Sequence, residues 1–152
     1  MPEYIYGHRG ARALLPENTI QAFQAAIDGG ANAIETDVHL TSDGKVVVFH
    51  DATGERIAGK PDAIASTTSA EALSWDVGYQ HVDSQGNRPF MGQGFRMPLL
   101  KELLETFPGL RINIDIKPGS TAAAAVVDII RRHGNPKDVL LTSFSDAVRT
   151  RL

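Results

Sequence analysis

The sequence contains no cysteine, and that absence excludes several kinds of site at once. Disulfide frameworks, thiolate nucleophiles and cysteine-based zinc sites all need a residue that the chain lacks. Oxygen and imidazole groups therefore remain as the available metal ligands and catalytic groups. The redox compartment stays open, because a chain without cysteine is compatible with either one.

Long basic runs and long apolar runs are missing as well. The formal net charge of the 152 residues is −3 and no basic stretch is longer than Arg131-Arg132, so nothing indicates a nucleic-acid partner. No segment has the length of a membrane span, and residues 1–6 lack the basic and apolar regions of a signal peptide. We therefore expect a cytoplasmic protein in which any recognition of phosphate is local.

The composition and the order of predicted elements indicate one α/β domain over residues 1–152. Hydrophobic residues make up 42% of the chain, enough for one core. Strands are predicted over 4–7, 33–38, 45–50, 111–117 and 139–144, and helices over 19–27, 97–107, 120–133 and from 145 onward. The connection at 41–44 is too short for a parallel crossover, so it predicts an antiparallel hairpin with Asp43-Gly44 in the turn. The remaining β-α alternation predicts a parallel sheet or barrel.

The segment from residue 51 to residue 96 is rich in glycine and polar residues. It is unusually long for a connector inside a compact domain. We interpret it as an insertion on the substrate side with some local structure of its own. Trp75 and Phe95 within it are interpreted as members of a local core.

Five short motifs carry the polar residues from which a site could be built. They are Gly7-His8-Arg9-Gly10, Pro16-Glu17-Asn18-Thr19, Glu35-Thr36-Asp37, His50-Asp51 and Asn113-Ile114-Asp115-Ile116-Lys117-Pro118. Each alone is weak, because a surface turn, a solvated acidic pair or a simple ion pair would explain it. Together they fall at the C-terminal ends of predicted strands, where a barrel places its active site. Three other histidines belong to no such cluster and are interpreted as structural: His39, His81 and His133.

The acidic residues of these motifs predict a site for a hard cation. Glu35 and Asp37 are two residues apart on a strand, so both carboxylates project from the same face. Asp115 approaches from the neighbouring strand. Three carboxylates suit Ca²⁺ or Mg²⁺.

The cationic residues predict phosphate recognition. Arg9 offers a planar fork for two phosphate oxygens, and Lys117 offers a point charge close to Asp115. Both would stabilise negative charge that develops on oxygens bound to phosphorus. Asn18 could donate a hydrogen bond to the same phosphate, although a helix cap at Asn18 or Thr19 is a sufficient explanation for it.

The five motifs, in this order, resemble the glycerophosphodiester phosphodiesterase family, whose pattern is HRG, PENT, ExD, HD and a later E-x-K. The resemblance spans essentially the whole chain and implies a (β/α)₈ TIM barrel of typically about 250 residues, of which this chain supplies about the first four β/α units. It assigns the metal role to Glu35, Asp37 and Asp115. The last of these departs from the family's usual glutamate and is one methylene shorter.

The same resemblance implies that His8 and His50 form the acid and base pair. Imidazole suits either role at neutral pH, because its unperturbed pKa lies near ~6.5. In the family's mechanism a glycerol hydroxyl attacks phosphorus and expels the alcohol, and water then opens the cyclic phosphate. Which histidine acts in which step is left open at this stage.

Two hypotheses of different class follow. The first is a metal-dependent hydrolase that converts glycerophosphodiesters to glycerol 3-phosphate and an alcohol. The second is a catalytically silent half-barrel fragment or metal- and phosphate-binding module, which would pair with another copy or with a complementary half-barrel to cover open sheet edges. A nearer alternative to the first is a related phospholipase-like or lysophospholipase D-type diesterase that uses the same residues on a lipid. The alcohol group of the substrate is not predictable from these residues.

Overall fold

Five strands form one sheet in the computed structural model, which describes residues 3–117 and 121–143. The strands are β1 (Tyr6–His8), β2 (Ala33–Leu40), β3 (Val46–Val48), β4 (Arg111–Ile116) and β5 (Val139–Thr142). Four of them pair in parallel in the order β1-β2-β4-β5, and β3 pairs antiparallel with the end of β2. The α/β parallel sheet and the β2-β3 hairpin are both confirmed.

Five α-helices accompany the sheet within the described residues. They are α1 (Ile20–Asp28), α2 (Glu55–Ala58), α3 (Ser69–Ala72), α4 (Leu100–Thr106) and α5 (Ala122–His133). Helix α4 begins three residues later than predicted, since Pro98 disfavours a helical residue before it and the Leu99 N–H instead donates to the Glu102 carboxylate at 2.8 Å. The helix expected from residue 145 onward lies outside the described residues.

Two hydrophobic clusters lie on opposite faces of β3. Val46 and Val48 pack into the main core between the parallel strands and helices α1, α4 and α5. Val47 points the other way and joins a second cluster built largely from residues 51–97. All three valines are buried, which is what a strand covered on both faces requires. The position of β3 is therefore determined from both sides.

The predicted insertion has its own small core around Trp75. This side chain is 2% exposed and lies edge-on to Phe49, with ring centroids 6.2 Å apart. Phe95 is partly buried against the same cluster. The interpretation of both aromatic residues as local core is confirmed. Helix α2 packs onto this cluster through Ile57 and Ala58, so the cluster determines where α2 lies.

The two end strands of the sheet leave apolar side chains exposed. Ile5, just before β1, is 63% exposed, and Leu140 of β5 is 42% exposed. Within residues 3–117 and 121–143, β1 and β5 each pair with one neighbouring parallel strand.

None of the helices in the described part of the chain combines the length and apolar character needed to cross a membrane.

The turn after β1 depends on Gly10. Its φ of 77° lies in the left-handed region, and a Cβ placed there would come within 2.5 Å of the Ala22 carbonyl carbon. The backbone of this turn therefore packs directly on the start of α1. The contact holds the preceding residues, His8 and Arg9, in place.

Gly10→Ala is expected to destabilise the protein more than Gly109→Ala does. Gly109 has the same φ of 77° but open space where an alanine methyl group would lie, so its replacement costs only the left-handed strain of about 1–2 kcal/mol. Gly10→Ala adds overpacking of about 1–3 kcal/mol, because the neighbouring atoms are backbone and must shift. Urea unfolding followed by Trp75 fluorescence measures both variants. Equal losses of unfolding free energy would contradict the packing argument.

Candidate active site

Neighbouring strands bring the predicted motifs to one cavity. In the parallel register, His8 of β1 lies beside Glu35 of β2, and Asp37 of β2 lies beside Asp115 of β4. The cavity at this end of the sheet has a volume of about 580 Å³. Seven of the eight predicted site residues line it, all except Asn18, together with Asn113, Thr142 and Ser143.

Asp37 is the centre of the charge network. Its side chain is 2% exposed, and its Oδ1 lies 2.9 Å from the Lys117 ammonium nitrogen. Its Oδ2 accepts a hydrogen bond from Asn18 Nδ2 at 3.1 Å and lies 3.4 Å from Arg9 Nε. A buried carboxylate needs such partners, because an unpaired charge away from water is costly.

Lys117 lies between two carboxylates. Its ammonium group pairs with Asp115 Oδ2 at 2.5 Å as well as with Asp37. Burial acts to lower the pKa of Lys117, but the hydrogen bonds to Asp115 and Asp37 outweigh it and the pKa is raised. Lys117 is therefore a permanent positive charge on the cavity floor.

Glu35 has the most unusual electrostatics of the site. Burial, followed by the negative charge of Asp37, raises the pKa of Glu35 to about 7. Its Oε2 is buried and has no hydrogen-bond partner, although His8 Nε2 lies 3.5 Å away. A carboxylate with this environment is poised to accept a proton or to meet a cation.

His8 stands at the mouth of the cavity. Half of its side chain is exposed, and its ring faces Glu35. Partial burial lowers the pKa of His8 below its ordinary value, and the positive charges of Arg9 and Arg12 act in the same direction. The neutral ring, which can accept a proton, is therefore favoured.

His50 is held from two sides. Its Nδ1 lies 2.6 Å from Asp51 Oδ1, and hydrogen bonds from Arg56, with a further one from His50, lower the pKa of Asp51 to about 2. An ionised carboxylate only accepts hydrogen bonds, so Nδ1 of His50 carries a proton, and Nε2 is left for the cavity to take up or release a second one. On the backbone side, His39 Nε2 contacts the His50 carbonyl oxygen at 2.8 Å.

His39 is therefore closer to the site than its sequence position suggested. The sequence predicts a structural residue outside any cluster, but the alternation along β2 places His39 on the face that carries Glu35 and Asp37. Its ring is buried, and burial lowers its pKa. A donated hydrogen bond to the His50 carbonyl fits a supporting role for the β3 end.

Asn18 lies behind the cavity and does not cap α1. Thr19 is the cap, since its hydroxyl accepts from the Ala22 N–H at 3.1 Å. Asn18 is 2% exposed, donates to Asp37 and accepts from the Thr36 hydroxyl at 2.9 Å. Its predicted contact with phosphate stays a prediction, and its observed contacts orient Asp37.

The predicted metal ligands offer suitable donor atoms but not a finished cage. Among residues 3–117 and 121–143, no three acidic or imidazole side chains are grouped so that they could hold a metal ion. Lys117 occupies the space between two of the three carboxylates. Glu35 Oε2 and Asp115 Oδ1 are nevertheless buried oxygens without hydrogen-bond partners. Such orphaned carboxylate oxygens, next to Asp37, fit a hard cation.

Thr142 and Ser143 of the cavity lining were not singled out from the sequence, and neither were two charged residues that lie beside the cavity. Glu17 of the Pro16–Thr19 motif and Arg56 of α2 form an ion pair with Nη2 to Oε1 at 2.7 Å. Their 39-residue separation leaves no local pattern from which the contact could be found. The sequence could have indicated Glu17 because other residues of its motif are predicted to belong to the site.

The fold is of the TIM-barrel type, and the chain contributes part of such a barrel. Residues 8–150 match the sequence profile of the Glycerophosphoryl diester phosphodiesterase family. The chain belongs to this family, as the five motifs predicted.

Similar proteins agree with this assignment. A glycerophosphodiester phosphodiesterase of Caldanaerobacter subterraneus is 32% identical over 95% of this chain, and the human Lysophospholipase D GDPD1 is 36% identical over 83%. A solved phosphodiesterase of Oleispira antarctica, in complex with the product sn-glycerol-3-phosphate, is 27% identical with a TM-score of 0.85 over 97% of this chain. The chain spans 59%, 40% and 60% of these three proteins, respectively.

Proposed function

We propose that this site hydrolyses glycerophosphodiesters to glycerol 3-phosphate and an alcohol. The observation that carries the proposal is the single cavity in which two imidazoles face a row of carboxylates and two cationic side chains. Family membership supports it, as does the product found in the Oleispira relative. The size of the cavity, about 580 Å³, is within the range of small-molecule sites.

A divalent cation is part of the proposal, because the family generally depends on one. Glu35, Asp37 and Asp115 would hold it, and the ion would be Ca²⁺ or Mg²⁺, since all three donors are carboxylates. When bound, it would neutralise phosphate charge and, as a Lewis acid, make the glycerol hydroxyl easier to deprotonate.

Arg9 and Lys117 are the proposed phosphate-binding residues. Arg9 is held at an ion-pair distance from Glu17 and Asp37, so its guanidinium is oriented before substrate arrives. Lys117 contributes a second positive charge from the floor of the same cavity. Preorganised cations of this kind stabilise charge on the transferring phosphoryl group without reorganisation during the reaction.

The two histidines are proposed to divide the proton transfers. His8, whose neutral form is favoured, would take the proton of the attacking glycerol hydroxyl as its oxygen bonds to phosphorus. His50, fixed by Asp51 through Nδ1–H and protonated on Nε2 as well in this step, would give its Nε2 proton to the leaving alcohol oxygen. In the second step the roles reverse, as water adds to phosphorus and the cyclic ester oxygen leaves as the hydroxyl of glycerol 3-phosphate.

The test is release of glycerol 3-phosphate from glycerophosphocholine and glycerophosphoethanolamine, with Ca²⁺ or Mg²⁺ present. We expect release with the cation, loss of release after chelation and recovery when the cation returns. If no release of glycerol 3-phosphate is detectable at high protein concentration with either cation, the proposal is contradicted for this chain.

The same assay decides between the alternatives. A preference for lysophosphatidylcholine would favour a lipid diesterase, the activity named for the human relative. Binding of cation and glycerol 3-phosphate without turnover would favour a silent half-barrel module.

The exposed residues at both end strands, Ile5 and Leu140, are the observation that supports pairing with a second copy or a complementary half. Light scattering of the same sample reports that pairing. A cytoplasmic location stays a prediction.

A further inference from the structure

Arg56 is tied to the candidate active site although it does not line the cavity. It belongs to α2, in the insertion, and its side chain is 48% exposed. It nevertheless makes four hydrogen bonds to two carboxylates. Nε and Nη2 donate to the two oxygens of Asp51 at 2.7 and 2.9 Å, and Nη2 and Nη1 donate to the two oxygens of Glu17 at 2.7 and 3.2 Å.

Such a double fork is more than a surface ion pair. An exposed pair usually contributes little to stability, and most hold no particular geometry. A guanidinium that meets two carboxylates in bidentate fashion fixes the orientation of both. Arg56 should therefore act through the orientation that it gives to the two carboxylates.

On one side, Arg56 determines where Asp51 lies. With both oxygens bonded to Arg56, Asp51 cannot rotate without breaking two hydrogen bonds. Its Oδ1 also accepts from His50 Nδ1 at 2.6 Å. The fork therefore holds the His50 ring in one tautomer, with Nε2 directed away from Asp51.

On the other side, Arg56 determines where Glu17 lies. Glu17 Oε1 also accepts from Arg9 Nη1 at 3.4 Å. Charges alternate along this path: Arg9 is positive, Glu17 negative, Arg56 positive and Asp51 negative. Arg56, a side chain of the insertion, thus links Arg9, which is predicted to bind phosphate, to Asp51, which orients His50.

We propose that Arg56 is a positioning residue. Through Asp51 it holds His50 in the Nδ1-protonated tautomer, and through Glu17 it fixes the position of His50 relative to Arg9. This proposal rests on the proposed function for its catalytic consequence. Its structural consequence, the tautomer of His50, stands without any activity. The insertion, which is predicted to lie on the substrate side, would then also help to position the catalytic groups.

The experiment compares Arg56→Met with Arg56→Lys and with the control Arg96→Met. Arg96 forms a similar fork with Glu102 and is 47% exposed, but it lies outside the site. Two readouts are used: the ring-nitrogen chemical shifts of His50 in ¹⁵N-histidine-labelled protein, and the separate values of kcat and KM for glycerophosphocholine.

For Arg56→Met we expect a mixture of the two His50 tautomers and a fall in kcat of roughly 10- to 100-fold, with KM little changed, as for other orienting partners of a functional side chain. Arg56→Lys should recover part of the single-tautomer signal, since lysine keeps the charge but lacks the fork. Arg96→Met should match the wild type in both readouts.

A wild-type tautomer signal in Arg56→Met would overturn the proposal, whatever the activity. If the wild-type protein shows no turnover, the proposed function fails, while the nitrogen shifts still decide the role of Arg56. A loss of kcat in Arg96→Met equal to that in Arg56→Met would also contradict it, because the effect would then belong to any exposed arginine fork.

Discussion

Replacing His50 with alanine is expected to lower kcat for glycerophosphocholine by about 10²- to 10⁴-fold, the usual contribution of a positioned general acid or base. The reason is the geometry at the end of β3. Asp51 holds Nδ1–H of His50, so Nε2 of the doubly protonated ring is free to protonate the departing alcohol oxygen. Steady-state kinetics with saturating Mg²⁺ or Ca²⁺ measures the effect.

The leaving group separates the roles of the two histidines. An alkoxide needs a proton as it leaves, whereas p-nitrophenolate leaves without one. In release of the leaving group, followed in a single turnover, His50→Ala should therefore lose much less activity on a p-nitrophenyl ester of glycerol phosphate than on glycerophosphocholine. His8→Ala should lose a similar factor on both substrates, because attack by the glycerol hydroxyl needs a base in either case.

The matched control is His133→Ala. His133 ends α5 and pairs with Glu105 at 2.9 Å, in a part of the molecule that contributes nothing to the cavity. Its kcat should equal that of the wild type on both substrates. Equal losses of His50→Ala in single-turnover release of the two leaving groups would show that His50 is not the acid of the first step.

The parallel strands and the convergence of the motifs could be predicted because both depend on short-range pattern. Alternation along β4 separates Ile112 and Ile114 on the core side from Asn113 and Asp115 on the cavity side. The two-residue spacing of Glu35 and Asp37 works in the same way. The parallel pairing of β2 and β4 then places Asp37 beside Asp115.

What could not be predicted depends on contacts between distant segments. The strand pattern places Lys117 near the cavity, but it does not reveal that the ammonium lies between Asp37 and Asp115. The fork of Arg56 depends on how α2 packs against the Trp75 cluster, which is a tertiary effect. Asn18 fits the role of a cap or of a ligand equally well until Thr19 is seen to hold the cap position.

Cation binding is expected to weaken on the order of fiftyfold between pH 7 and pH 5, because a metal ligand must be deprotonated and the pKa of Glu35 is raised to about 7 in the cation-free protein. Titration calorimetry with Mg²⁺ or Ca²⁺ at a series of pH values measures this directly, without substrate. Glu35→Gln should bind the cation more weakly and with a much flatter pH dependence. The surface variant Asp128→Asn should keep the wild-type pH dependence.

Protonation of Glu35 should also change the stability of the cation-free protein, but in the opposite direction. Low pH weakens cation binding, whereas it stabilises the folded state. A carboxyl group whose folded pKa is raised above its ordinary value of 4.5 favours the folded state most strongly below that value, and the contribution is lost as the pH rises through about 7. A cation that binds the ionised form should restore this loss, so the rise in Tm on adding Mg²⁺ should be larger at pH 8 than at pH 5. Glu35→Gln should remove most of that difference. Equal rises in Tm at both pH values in the wild type would mean that the cation does not contact Glu35.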